Sequence, residues 1–98
     1  MPAYLISTIE ITDPAAYEEY RKLVAPVLQK FGGKFLARGG KIDYLEGDWQ
    51  PKRVVIVEFE TLEKARAFSD SSEYAPAKAA RHRASVSSVL VVEGVAPG

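Results

Sequence analysis

An α+β fold is predicted by the order in which two kinds of apolar periodicity follow one another along this chain. Between the strand-like runs, Pro14–Phe31 and Leu62–Arg83 repeat apolar residues at the three- and four-residue spacing of helices. Runs with a period of two, typical of strands, lie at Tyr4–Ile11, Lys34–Ala37, Arg53–Phe59 and Val86–Val92. This order predicts a ferredoxin-like βαββαβ sandwich, in which a four-stranded antiparallel sheet carries two helices on one face.

The first helix has clear start and stop signals. Asp13-Pro14 supplies an N-cap oxygen acceptor and a proline whose fixed φ suits the first helical turn. Pro26 removes one helical hydrogen bond and predicts a bend, and Gly32 predicts a left-handed C-cap.

The middle of the chain predicts a hairpin. Gly39-Gly40 interrupts the second strand and predicts a bulge or a bend. Ile42–Glu46 then predicts that the strand resumes, before a turn at Gly47–Pro51. Further on, Ser72 is a candidate cap for a second helical segment within Leu62–Arg83.

Both faces of the predicted sheet are mainly apolar. Tyr4, Ile6 and Thr8 fall on one face of the first strand, with Leu5 and Ile9 on the other. A half-solvated strand would alternate more regularly with polar residues. Because an exposed apolar sheet face is an association surface, we expect a homodimer through the open sheet face. A monomer with a hydrophobic sheet is the alternative.

Composition limits the function classes. The 98 residues predict a single domain, 1–98, and 13 basic residues balance 13 acidic ones. Such a chain lacks the positive field that nucleic-acid or anionic-membrane binding needs, so neither partner is expected. No cysteine is present, and the Met1–Tyr4 start has no signal-peptide pattern, so we expect a cytoplasmic protein.

Two titratable residues are candidate catalytic groups. His82 is the only histidine, and its ordinary pKa lies near neutrality; the alternative is a surface histidine at a helix end. Glu58 lies in an apolar strand, where a carboxylate is paired or shifted in pKa. Arg53, Arg81 and Arg38 are its candidate partners, and a structural ion pair is the alternative role.

Aromatic and basic side chains are candidates for a small-molecule pocket. Tyr74 and Arg81 are seven residues apart, so they share a helix face and could bind an anionic or carbonyl-bearing ligand. Arg53 and Tyr20 complete the predicted ligand-binding set, although Tyr20 also fits the core stripe of its helix. One histidine and no Asp/Glu cluster with ligand spacing predict no metal and no cofactor.

Several stretches resemble one small bacterial family, the domain of unknown function numbered thirteen-thirty. The stretches are Phe31–Gly40, Leu45–Trp49, Arg53–Phe59, Ser71–Tyr74, Arg81 and Val92–Gly94. The resemblance covers almost the whole chain and implies the dimeric α/β-barrel superfamily, in which two sheets pack face to face across a dimer. At Ser69–Ser71 relatives tend to carry an aromatic residue, so this loop differs here.

Two functions remain open. The first is a dimeric protein that binds a small organic ligand in a pocket beside the sheet, without turnover. The second, implied by the superfamily, is a cofactor-independent enzyme of monooxygenase or isomerase type acting on a small apolar or carbonyl-bearing metabolite. The distinguishing feature is whether Glu58, Tyr74 and Arg81 converge on one enclosed cavity.

Overall fold

The computed structural model describes residues 1–96 and confirms the predicted α+β order, with the second helical region divided in two. The elements are β1 (Ala3–Ile11), α1 (Pro14–Lys30), β2 (Lys34–Arg38), β3 (Val54–Phe59), α2 (Leu62–Asp70), α3 (Ala75–Ala84) and β4 (Ser85–Glu93). The four strands form one antiparallel sheet in the order β2-β3-β1-β4, the order of a ferredoxin-like fold.

Strand alternation gives the sheet two distinct faces. Leu5 and Ile9 of β1 are buried beneath the helices, whereas Ile6 points to the other face, where its neighbours in register are Ile56 and Leu90. Because no helix within residues 1–96 covers that second face, we call it the open face. Its apolar residues include Tyr4, Ile6, Val54, Ile56, Val86, Leu90 and Val92.

Helix α1 begins and ends as its sequence predicts. The Asp13 carboxylate accepts a hydrogen bond from the Ala16 N–H at 3.2 Å. At the other end Gly32 has a φ of +80°, so its N–H reaches the Gln29 carbonyl at 3.1 Å, and the next N–H reaches Leu28 at 2.8 Å. These two bonds form a Schellman motif, which satisfies carbonyls that would otherwise lack partners.

The turn between α2 and α3 is stabilised by Ser71, so the prediction that Ser72 caps the second segment is wrong. The Ser71 hydroxyl accepts a hydrogen bond from the Tyr74 N–H at 3.1 Å and donates one to the Phe68 carbonyl at 2.8 Å. No side chain caps the α3 N-terminus itself. This turn sets the start of α3 and thereby the position of Tyr74.

The predicted resumption of the second strand at Ile42–Glu46 is also wrong. Pairing of β2 with β3 ends where Arg38 lies opposite Val55, and the Gly39 N–H makes a last bond to the Val54 carbonyl at 3.0 Å. Since β3 begins at Val54, backbone beyond Gly39 has no strand to pair with. Residues 39–53 therefore form a long connection.

The core lies between the sheet and the helices. Phe59 is the largest fully buried side chain, and its ring centre lies 5.5 Å from that of Phe68. Phe68 in turn contacts Tyr74, with ring centres 4.3 Å apart. The aromatic cluster packs on Leu5 and Leu28 at one end of the layer. Beyond this cluster the packing between sheet and helices leaves a cavity.

Candidate functional site

The cavity has a volume of about 230 Å³ and is partly open to solvent. It lies between the helix-covered face of the sheet and all three helices. Its apolar wall consists of Leu5, Ile9, Val24, Leu28, Phe35, Val55, Val57, Phe68 and Val89. Its polar wall consists of Ser7, Tyr17, Tyr20, Ser69, Tyr74, His82 and the cations Arg21, Arg38, Arg53, Lys78 and Arg81. Apolar walls with a few convergent polar groups are typical of small-molecule sites.

Two buried residues, Tyr74 immediately before α3 and Arg81 within it, form the polar centre of the cavity. The Arg81 Nη1 group donates to the Tyr74 hydroxyl at 3.1 Å, so the predicted shared helix face is present. Arg81 is only 7% exposed. Its Nη2 atom lies 3.1 Å from His82 Nε2, and its Nε atom is buried with no hydrogen-bond partner. Within residues 1–96 the guanidinium is thus a buried cation whose hydrogen bonds go to a phenol and an imidazole, and it forms no ion pair with a carboxylate.

A second arginine lies on the wall next to α1. The Arg53 Nε group donates to the Tyr17 hydroxyl at 3.1 Å, and its guanidinium carbon lies 5.4 Å from the centre of the Tyr17 ring. Gly39, with a φ of +74°, passes so close that a β-carbon there would lie 2.0 Å from Arg53 Nη1. The glycine therefore both turns the chain and leaves room for the arginine.

The phenol of Tyr20 remains protonated at neutral pH. Burial, and after it the neighbouring Tyr74, raise the pKa of Tyr20 well above its usual range. Its ring centre lies 5.4 Å from that of Tyr17. A neutral phenol is a hydrogen-bond donor as well as an acceptor, so the partly buried Tyr20 can donate to a ligand oxygen in the cavity.

The charges on the cavity wall have one sign. Within residues 1–96, five cationic side chains and no Asp or Glu line the cavity, although the chain as a whole has no net charge. The Arg21–Glu18 pair, at 2.9 Å, is exposed, so it neutralises a cation only at the mouth. The cavity therefore has a positive potential that is strongest at the buried Arg81.

The structure brings five of the six predicted site residues to one cavity. Tyr20, Arg53, Tyr74, Arg81 and His82 all line it. The sixth, Glu58, does not.

Glu58 lies away from the cavity, on the open face of β3. Its neighbours in register are Tyr4 and Lys34. Arg53, Arg81 and Arg38 contribute to the helix side instead, so the expectation that one of them pairs with Glu58 is wrong. The physical reason is strand alternation: Val55 and Val57 face the cavity, and Glu58 points the other way.

Sequence reasoning missed three contributors to the cavity, and each left a signal. Ser7 interrupts the apolar stripe of Leu5 and Ile9 on β1. Arg21 occupies a core-stripe position four residues after Tyr17. Lys78 lies on the same face of α3 as Tyr74, and its ammonium is 5.8 Å from the centre of the Tyr74 ring. For Ser7 and Arg21 the signal was a polar residue within an apolar stripe, and for Lys78 it was the face shared with Tyr74.

Residues 1–96 contain no group of three or more His, Asp or Glu side chains placed to hold a metal ion. None of the helices in this range is long and apolar enough to span a bilayer.

The chain belongs to the family described as domain of unknown function (DUF1330), whose model matches residues 2–95. The solved structures that match the chain share its ferredoxin-like α+β fold. The family and fold predicted from the sequence are thereby confirmed. No curated protein sequence matches the chain.

Solved structures with the same fold include both uncharacterised proteins and an oxygenase. A protein of unknown function from Rhodopseudomonas palustris matches with a TM-score of 0.76 and 21% identity, over 98% of this chain and 84% of that one. SnoaB, a cofactor-independent oxygenase from Streptomyces nogalater, matches with a TM-score of 0.69 and 15% identity, over 98% of this chain and 95% of that one. A candidate antibiotic biosynthesis monooxygenase from Nitrosomonas europaea matches with a TM-score of 0.59 and 15% identity, over 98% of this chain and 100% of that one.

Proposed function

We propose that this protein binds a small organic ligand in the cavity between sheet and helices. The observation that carries the proposal is the convergence of Tyr20, Tyr74 and Arg81 on one apolar-walled space. Ligand sites usually measure about 300–1,000 Å³, so a cavity of about 230 Å³ suits a small metabolite. The apolar wall would hold the body of the ligand, and the phenols and guanidinium would orient its polar end.

A matched pair of serine variants tests whether the cavity is the binding site. Ser69→Phe places a ring against the cavity wall, whereas Ser72→Phe places the same ring at an exposed position outside it. Binding of small aromatic acids, amides and alcohols is measured by calorimetry and by ligand-induced thermal shifts. We expect Ser69→Phe to abolish binding and Ser72→Phe to retain it; equal affinities in the two variants would contradict the proposal.

We further propose that the protein functions as a homodimer assembled through the open face. Leu90 is 57% exposed there, next to the partly exposed Ile6 and Ile56. Contiguous apolar surface of this kind is uncommon on soluble monomers. The similarity to proteins of the dimeric barrel fold supports pairing of two such faces.

Sedimentation velocity tests the dimer. We expect the wild-type protein to sediment as a dimer at micromolar concentration and Ile6→Lys to sediment as a monomer, because it would bury an unpaired charge between the sheets. Ala79→Lys, at an exposed position of α3, is the control and should stay dimeric. A monomeric wild-type protein would exclude the proposed assembly.

A cofactor-independent reaction in the same cavity is the second candidate function. It is favoured by His82, whose Nε2 atom lies 3.1 Å from the Arg81 guanidinium at the cavity wall. The imidazole would serve as the general acid or base on a bound substrate. With a substrate in hand, His82→Gln should lower kcat and leave binding intact. Unchanged turnover would exclude His82 as the catalytic group. Glu58 would then be the remaining candidate, and it lies on the opposite face of the sheet from the cavity.

A further inference from the structure

We propose that the ligand is a small monocarboxylate and that the Arg81 guanidinium binds its carboxylate group. This inference rests on the proposed ligand-binding function and names the chemical class of the ligand. It goes beyond shape, because it predicts that one negative charge decides which molecules of suitable size are bound.

The guanidinium of Arg81 carries a buried charge that has no carboxylate partner among residues 1–96. The side chain is 93% buried, and the hydrogen bonds that it makes go to Tyr74 and His82 rather than to a carboxylate. Among residues 1–96 the three ion pairs, Arg21–Glu18, Lys30–Glu73 and Lys64–Glu60, lie elsewhere. Burying a charge without a counter-charge is costly. An anionic ligand would supply the missing counter-charge.

The guanidinium of Arg81 has an N–H donor without a hydrogen-bond partner among residues 1–96. A guanidinium carries five N–H groups in a planar fork, and the Nε–H of Arg81 is buried without a partner. The two N–H groups on one edge of the fork match the two oxygens of a carboxylate. The Tyr20 and Tyr74 phenols lie in the same wall and can contact the same anion.

The cavity also indicates the charge of the ligand and the polarity of the rest of the molecule. One buried guanidinium balances one negative charge, which a carboxylate carries and a phosphate monoester exceeds at neutral pH. The cations Arg38, Arg53 and Lys78 would attract an anion toward the cavity. The apolar wall formed by Leu5, Val24 and Val57 requires an uncharged, mainly apolar body. A small aromatic or branched aliphatic monocarboxylate combines these properties.

Matched acids and amides test the charge requirement in the intact protein. Benzoate is compared with benzamide, phenylacetate with phenylacetamide, and para-hydroxybenzoate with its amide, with inorganic phosphate as a simple anion. Each pair keeps the shape and removes the charge. Since hydrogen bonds to charged groups contribute more than neutral ones, we expect each acid that binds to do so about 10- to 100-fold more tightly than its amide.

Variants on one helix assign that preference to Arg81. Arg81→Met should remove the preference for acids while retaining amide binding, and the ligand-free variant should melt at the same or a higher temperature, because an uncompensated buried charge has been removed. Arg81→Lys keeps the charge but lacks the fork, so its preference should be intermediate. Arg83→Met removes an exposed arginine two residues away and should retain the full preference.

The outcomes separate this inference from the broader proposal. Acid preference in the wild-type protein that is lost in Arg81→Met and retained in Arg83→Met supports it. Amides that bind as tightly as acids overturn the carboxylate inference but leave ligand binding in the cavity standing. Preference for inorganic phosphate over every acid, or no binding of any acid, overturns it as well. A loss of melting temperature in Arg81→Met with unchanged acid preference would assign Arg81 a structural role only.

Discussion

The two faces of this sheet are built from alternate residues of the same strands, yet they depend on different partners. On the helix side, Leu5 and Val57 are buried within the chain's own core. On the open face, Ile6 and Ile56 lie opposite each other in the ladder but have no covering layer in the chain. The apolar character of the two faces is similar, and only the helices distinguish them.

This difference separates two kinds of stability. Helix-side residues stabilise the monomer by intramolecular burial, whereas open-face residues can be buried only by a second molecule. The cavity adds a further distinction within the helix side. At the cavity, Ser7 and the arginines occupy positions where the rest of the layer has apolar core residues, so the sheet and the helices are less tightly packed there. Such exchanges of stability for polar, unfilled space are typical of binding sites.

The largest expected effect compares adjacent residues of β1. Leu5→Ala should lower the free energy of unfolding by about 2–5 kcal/mol at every protein concentration, because it leaves a hole in the core. Ile6→Ala, on the open face, should cost less, and its cost should depend on protein concentration if the proposed dimer buries this face. Urea unfolding of both variants over a range of concentrations measures this. If the loss of unfolding free energy in Ile6→Ala did not depend on protein concentration, the open face would not be buried by a second molecule.

A smaller effect is expected at the two glycines after β2. Gly39→Ala requires a non-glycine residue at a φ of +74° and pushes its β-carbon into Arg53, so it should cost about 1–2 kcal/mol and disturb the cavity. Gly40→Ala meets no atom within 4 Å and should be nearly neutral. Thermal unfolding and binding of a cavity ligand measure the two effects. Equal costs would show that Arg53 moves aside freely and that backbone strain is absent.

Glu58→Gln tests whether the open face takes part in ligand binding. Glu58 lies outside the cavity, so ligand affinity should not change, and stability should change by no more than about 0.5 kcal/mol. Calorimetry with the tightest-binding acid and chemical unfolding give the two numbers. A clear loss of affinity would mean that the two faces communicate through the sheet, contrary to the separation that strand alternation gives them.

The smallest effect is expected at an exposed ion pair outside both faces. The hydrogen bond from Lys64, followed by its charge, lowers the pKa of Glu60 below the ordinary value of 4.5. Any stabilisation is therefore present above that value and lost as the pH falls through the lowered pKa. Glu60→Gln should differ slightly from wild type at neutral pH and low salt, and not at all in acid or at high salt. Glu19→Gln, on α1, is the matched control.

Much of the site could be predicted because helical spacing is regular. Tyr74 and Arg81 are two turns apart, which places them on one face wherever the helix lies. The convergence of Arg53 and Tyr20 with them could not be derived in this way, since it depends on how β3 and α1 pack against α3. The placement of Glu58 followed from strand alternation, but its neighbours depended on which face the helices cover.

The sequence by itself determined the order of elements, the ends of α1 and the apolar character of both sheet faces. These are local properties, set by periodicity, capping residues and a glycine with positive φ. The tertiary structure alone decided that Ile42–Glu46 has no strand partner, that Ser71 rather than Ser72 stabilises the turn, and that Arg81 is buried without a carboxylate. Each depends on contacts between residues distant in sequence or on the packing of whole elements, which no local pattern records.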